Sequence, residues 1–150
     1  MSEEAYFLED VPECSRRAPV PMLLVGQHHL HLAYRMHMPP DDAWDGSTCR
    51  VVSENTENEE CCLVSFHGPT AHKFERGGFD YGSGTHPLEG AGLEAYALYE
   101  IEGSKWAVAN GGLRHFVFMF HDTTFECVAE SYSFRTERSS VSSLVRSPWR

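Results

Sequence analysis

A chain of 150 residues with 41% hydrophobic content can bury one sizeable core and needs no second domain. Its 22 acidic residues against 12 Lys and Arg leave a formal net charge of −10, which repels phosphate backbones and excludes nucleic acid from the expected partners. The opening MSEEAYFLED lacks the basic and apolar regions of a secretory signal, and no apolar run reaches the roughly 20 residues that span a bilayer, so no membrane partner is expected and the location expected is cytoplasmic.

Residues 1–21 begin acidic and end in the proline-rich SRRAPVPM, which argues against a long helix and predicts an arm leading into a single β domain at 22–135. Met22 to Met38, MLLVGQHHLHLAYRMHM, reads as two strands broken around Gly26 and Gln27. Within it Leu30, Leu32, Tyr34, Met36 and Met38 alternate with His29, His31, Ala33, Arg35 and His37, so one face is core and the other carries imidazoles. Pro39 and Pro40 end the strand, and Cys49 to Ser53 can form a short one. The acidic ENTENEE that follows reads as a solvated loop, because it lacks the spacing and glycine of a calcium loop.

Cys61 to His67, CCLVSFH, has the apolar density of a buried strand, stopped by Gly68 and Pro69 with His67 at its tip. Thr70 to Gly92 is glycine-rich and is expected to be a binding loop. GSGTHPLEGAG lacks the GK[ST] ending of a P-loop, and His86 before Pro87 is held extended. Leu93 to Ile101 favours strand through its tyrosines. Ser104 is then placed as the N-cap of a short helix over Lys105 to Asn110, ended by Gly111 and Gly112.

Leu113 to Phe134, LRHFVFMFHDTTFECVAESYSF, predicts a hairpin of two long strands. With the turn at Asp122 and Thr123, Phe120 faces Phe125, Phe118 faces Cys127 and Phe116 faces Ala129, which makes one wholly apolar face. The other face is mixed: His115 lies opposite Glu130, and His121 is diagonal to Glu126. Residues 136–150, TERSSVSSLVRSPWR, are serine-rich and basic and are expected to be a mobile tail.

Nine histidines stand out in a chain of this length. His29 and His31 share a strand face, so two imidazoles can meet a divalent metal such as zinc or iron. The pair resembles the HxH part of the cupin pattern; where that family carries its downstream Glu, this chain has Arg35 and Met36, and no family is assigned. An imidazole beside a carboxylate is held in one tautomer and suits proton transfer, which makes His121 with Glu126 the expected acid/base pair, and His115 with Glu130 the other pairing on that face. Five cysteines without a framework spacing are expected to be reduced, mostly buried thiols.

Together these features predict a mainly β protein, an antiparallel barrel or sandwich of about seven or eight strands with one short helix before the last hairpin. The expected function is binding of a neutral or cationic small molecule, with acid/base or metal-assisted chemistry. His67, His86 and Tyr132 are the expected ligand contacts. The alternative is a non-catalytic module that offers a sheet edge or the glycine-rich loop to a protein partner.

Overall fold

The computed structural model describes residues 3–37, 51–76, 96–120 and 122–149. Among them the chain forms β1 (Glu4–Phe7), β2 (Met22–Val25), β3 (His29–Arg35), β4 (Glu59–His67), β5 (Ala71–Arg76), β6 (Leu98–Glu102), α1 (Lys105–Ala109), β7 (Arg114–Met119), β8 (Thr123–Ala129), β9 (Ser131–Ser139) and α2 (Val141–Arg146). The strands make two antiparallel sheets, one ordered β1-β6-β7-β8-β5 and the other β2-β3-β4-β9. The mainly β prediction holds, and among the described residues neither sheet closes on itself as a barrel.

Strand periodicity explains the main core. Leu30, Leu32 and Tyr34 from β3, and Cys62, Val64 and Phe66 from β4, meet Phe116, Phe118, Phe120, Phe125, Cys127 and Ala129 of the hairpin in one buried cluster. Phe118 and Phe120 stack at 4.4 Å, and Tyr34 sits 4.7 Å from Phe118. The break at Gly26 also lies where expected, between β2 and β3.

The hairpin keeps its predicted faces and changes its register. Phe118 pairs with Phe125, Phe116 with Cys127 and Arg114 with Ala129, and the Phe120 N–H donates to the Thr123 carbonyl at 2.8 Å. Thr123 therefore belongs to the strand, where a β-branched side chain fits better than in a tight turn. The shift is two residues, so no side chain changes face. The second strand also ends sooner than predicted: β8 stops at Ala129 and the chain crosses at Glu130 into the other sheet as β9. At this corner the Glu130 N–H donates to His67 C=O at 2.8 Å, and Gly68 (φ +63°) lies so close that a Cβ would sit 2.7 Å from Glu130 Cδ.

α1 is capped as the sequence implies: Ser104 Oγ accepts the Ala107 N–H at 3.0 Å, and Gly111 and Gly112 follow with φ of +103° and +76°. Three other expectations are corrected. Ala71 to Arg76, expected in a loop, is β5 and pairs with β8. The N-terminal arm contributes β1 to a sheet, and Val11 and Cys14 to the core. The expected mobile tail is instead β9 and α2: Val141, Leu144 and Val145, at i, i+3 and i+4 spacing, are buried against Ala33, Cys61 and Leu63.

That last contact explains why β3 is buried on both faces. His31 and Arg35, on the side away from the main core, are 3% and 7% exposed. Arg35 is matched there by Glu59 at 3.4 Å and by the Ala18 carbonyl at 2.9 Å, which offsets the cost of burying its charge. Val51 to Ser53 adopts no strand, and residues 49–50 lie outside the described residues.

Candidate functional site

Of the two residues expected to share proton-transfer work, Glu126 is described and His121 lies outside the described residues, as does His86. Glu126 stands mid-strand on β8, opposite Val117; His115 stands on β7, opposite Val128. The two are diagonal neighbours on the face away from the main core, and His115 Nε2 lies 3.0 Å from Glu126 Oε1. The two-residue register shift is what makes His115 the partner of Glu126 and separates it from Glu130.

The other ring nitrogen is engaged as well. His115 Nδ1 is 2.7 Å from Ser104 Oγ, on the connection between β6 and α1. A carboxylate can only accept, so Nε2 of the neutral ring carries the hydrogen and donates to Glu126; Nδ1 then accepts the Ser104 O–H. Ser104 Oγ accepts the Ala107 N–H at the same time. All three residues are buried, at 5%, 3% and 5% exposure for Ser104, His115 and Glu126. The Trp106 ring lies edge-on to His115 with centroids 4.9 Å apart, and Lys73 Nζ stands 4.8 Å from the Trp106 centroid. Ile101, Val117 and Met119 form an apolar cluster on the same face.

One end of this hydrogen-bonded chain reaches a cavity. Ser104 lines a cleft of about 720 Å³ together with Glu100, Gly103, Lys105, Arg114 and Glu130, among others. Arg114 is held by Glu100 through two bonds, Nε at 3.0 Å and Nη2 at 2.7 Å, which raises its pKa further. Its guanidinium also lies 4.9 Å from the Phe116 centroid and 5.7 Å from that of Tyr132. The Tyr132 hydroxyl donates to Asp10 at 3.0 Å, and burial with that neighbour pushes its pKa up to about 12. Tyr132 thus sits behind Arg114, in the second sheet, and not on the hairpin's mixed face.

The predicted metal pair gathers elsewhere. His29 and His31 stack with centroids 5.8 Å apart, and His67, opposite His29, meets it edge-on at 5.1 Å. His31 Nδ1 bonds Ser65 Oγ at 2.8 Å and His67 Nε2 bonds Ser133 Oγ at 3.0 Å, while His31 Nε2 is buried without a hydrogen-bond partner. Trp149 covers the group, 4.5 Å from His31 and 5.8 Å from His29. Burial first, then the neighbouring His29 and His67, pushes the His31 pKa down to about 4. Among the described residues no group of three or more His, Cys, Asp or Glu is arranged to hold a metal ion.

Cys14, Cys61, Cys62 and Cys127 are free and buried. Burial pushes the thiols up, Cys61 to about 11 and Cys62 to about 12, which opposes thiolate chemistry. No helix among the described residues is long and apolar enough to cross a membrane.

Sequence reasoning placed Ser104 as a cap and did not join it to the hairpin. The signal was present: a turn one residue earlier shifts the pairing by two and puts His115 diagonal to Glu126, and the short α1 connection brings Ser104 back over β7. Fold and site define a two-sheet antiparallel β protein with a buried Ser104–His115–Glu126 chain that ends at a surface cleft. No family model, curated protein or solved structure matches this chain.

Proposed function

We propose that the protein is a sandwich of its two sheets that binds a small molecule in the cleft beside α1, with His115 and Glu126 as the acid/base pair serving it. The observation that carries this reading is the hydrogen-bonding of both His115 nitrogens, one to Glu126 and one to the cleft-lining Ser104. A buried imidazole fixed in one tautomer, with a path to a cavity, is what proton transfer requires. The Arg114–Glu100 pairing balances the charge of that arginine, and Ile101, Ala107, Val108 and Leu113 make much of the wall apolar, which favours a neutral ligand over an anion. The buried free thiols suit a reducing cytoplasm.

Amide chemical shifts of Gly103, Ser104 and Gly112, followed against a panel of neutral and cationic fragments, test the binding site. Fragments are expected to move these amides in the wild type and not in Val108→Trp, which fills the cleft from an exposed position. The reading fails if no fragment moves them, or if shifts gather elsewhere.

A second reading, a protein-interaction module, rests on the sheet ends. Tyr6 and Phe7 are 46% and 48% exposed on β1, which pairs on one side with β6 and ends its sheet. Sedimentation of wild type and Phe7→Lys over a concentration series tests one form of it: identical monomeric behaviour removes self-association through this edge.

A further inference from the structure

We infer that Ser104 is a nucleophile and that the cleft takes a small, uncharged carboxylic ester, whose acyl group passes through Ser104 to water. The inference rests on the reading of the cleft as a small-molecule site served by His115 and Glu126, and it adds the reaction class.

Capping alone does not account for what surrounds Ser104. A helix N-cap needs only an acceptor oxygen, and Asn or Asp supplies one as well as Ser. Here the hydroxyl also spends its single hydrogen on His115 Nδ1, at 2.7 Å and out of water. His115 is in turn fixed through Nε2 by Glu126, at 3.0 Å. This is the connectivity of an activated serine: nucleophile, base, and a carboxylate that orients the base and stabilises its charged form. The two ring nitrogens exchange the places they occupy in the familiar protease arrangement, which leaves the proton path unchanged. Ser104 Oγ has two lone pairs; one accepts from Ala107, and the other remains for an electrophile in the cleft that Ser104 lines.

The step balances without a further reactant besides water. Ser104 Oγ bonds the ester carbonyl carbon as its proton moves to His115 Nδ1. The bond from that carbon to the alcohol oxygen then breaks, and the leaving alcohol takes the proton from His115. Water, giving a proton to His115, attacks the acyl-serine; the acid departs as the proton returns to Oγ. The net change is ester plus water to acid plus alcohol.

The experiment is labelling of the full-length protein with an uncharged alkyl fluorophosphonate, read by intact mass and peptide mapping, with circular dichroism confirming the fold of each variant. One adduct on Ser104 is expected in the wild type. Ser104→Asn retains an acceptor for the α1 cap and should carry none. His115→Gln should label about 10²-fold more slowly or worse, the range typical of a lost general base, and Glu126→Gln should also slow labelling while retaining an oxygen for the ring N–H. A folded wild type that takes no label on Ser104 overturns the inference, as does His115→Gln labelling at the wild-type rate. The fragment shifts separate this failure from that of the underlying reading: amides of the cleft that respond while Ser104 stays unlabelled leave the binding site standing and remove the nucleophile, whereas silence in both removes both.

Discussion

His31 and His115 show how a residue's role follows from its partners. Both lie on strand faces turned away from the main core and both are 3% exposed, yet His115 has both nitrogens bonded and His31 has Nε2 without a partner under Trp149. Protonating His31 in place puts a charge among His29 and His67 and out of water, so the folded protein holds it neutral down to about pH 4. The unfolded chain protonates the same imidazole near its ordinary value of about 6.5. Its stabilising contribution is therefore fully present above about pH 6.5 and is lost as pH falls from there to about 4. Unfolding free energies from urea titrations at pH 7, 5.5 and 4 should fall for the wild type, by no more than about 3 kcal/mol from this group. His31→Gln should flatten that fall, and an unchanged slope would place the acid sensitivity elsewhere.

At the scale of elements, α2 ties the C-terminal end of the chain to β2, β3 and β4, and the Gly68 corner packs against Glu130 where the chain changes sheets. Ser140 caps α2 by accepting the Ser143 N–H at 3.1 Å, and Arg135 donates to the Ser147 carbonyl beyond its end at 3.1 Å. Leu144 lies at 1% exposure between β3 and β4, so Leu144→Ala should cost about 2–5 kcal/mol in chemical denaturation. If that segment were a loose tail the cost would be near zero. Gly68→Ala combines a left-handed backbone with a clash against Glu130; since the glutamate side chain can yield, about 1–2 kcal/mol of destabilisation is expected, chiefly from φ. A variant as stable as the wild type would show that the corner relaxes freely.

For the whole molecule, burial of the described cysteines makes a folding reporter. Cys14, Cys61, Cys62 and Cys127 are each 0% exposed and come from the N-terminal arm, β4 and β8. Their reaction with an aromatic disulfide such as DTNB should be slow in the native protein and become rapid across the same urea range that abolishes near-ultraviolet circular dichroism. Cys61 is the exception to watch, because α2 covers it: Leu144→Ala should expose it before the others. Simultaneous reaction of all the described thiols would mean that α2 opens only with global unfolding.

The architecture was legible where one local rule decides it. Period-two alternation placed β3 and the faces of the hairpin, apolar density placed the body of β4, and Ser104 with the glycines bounded α1. These features depend on residues within a few positions of one another. The tertiary structure alone decided the rest. A two-residue register shift is invisible to alternation because it preserves faces, yet it determines that His115 stands diagonal to Glu126. The serines around Val141, Leu144 and Val145 hid a helix whose apolar stripe acquires its use only once β3 and β4 present an apolar surface. His31 and His115 likewise share one residue type and one burial, and only long-range neighbours leave one with an unpartnered Nε2 beneath an indole and bond the other at both nitrogens.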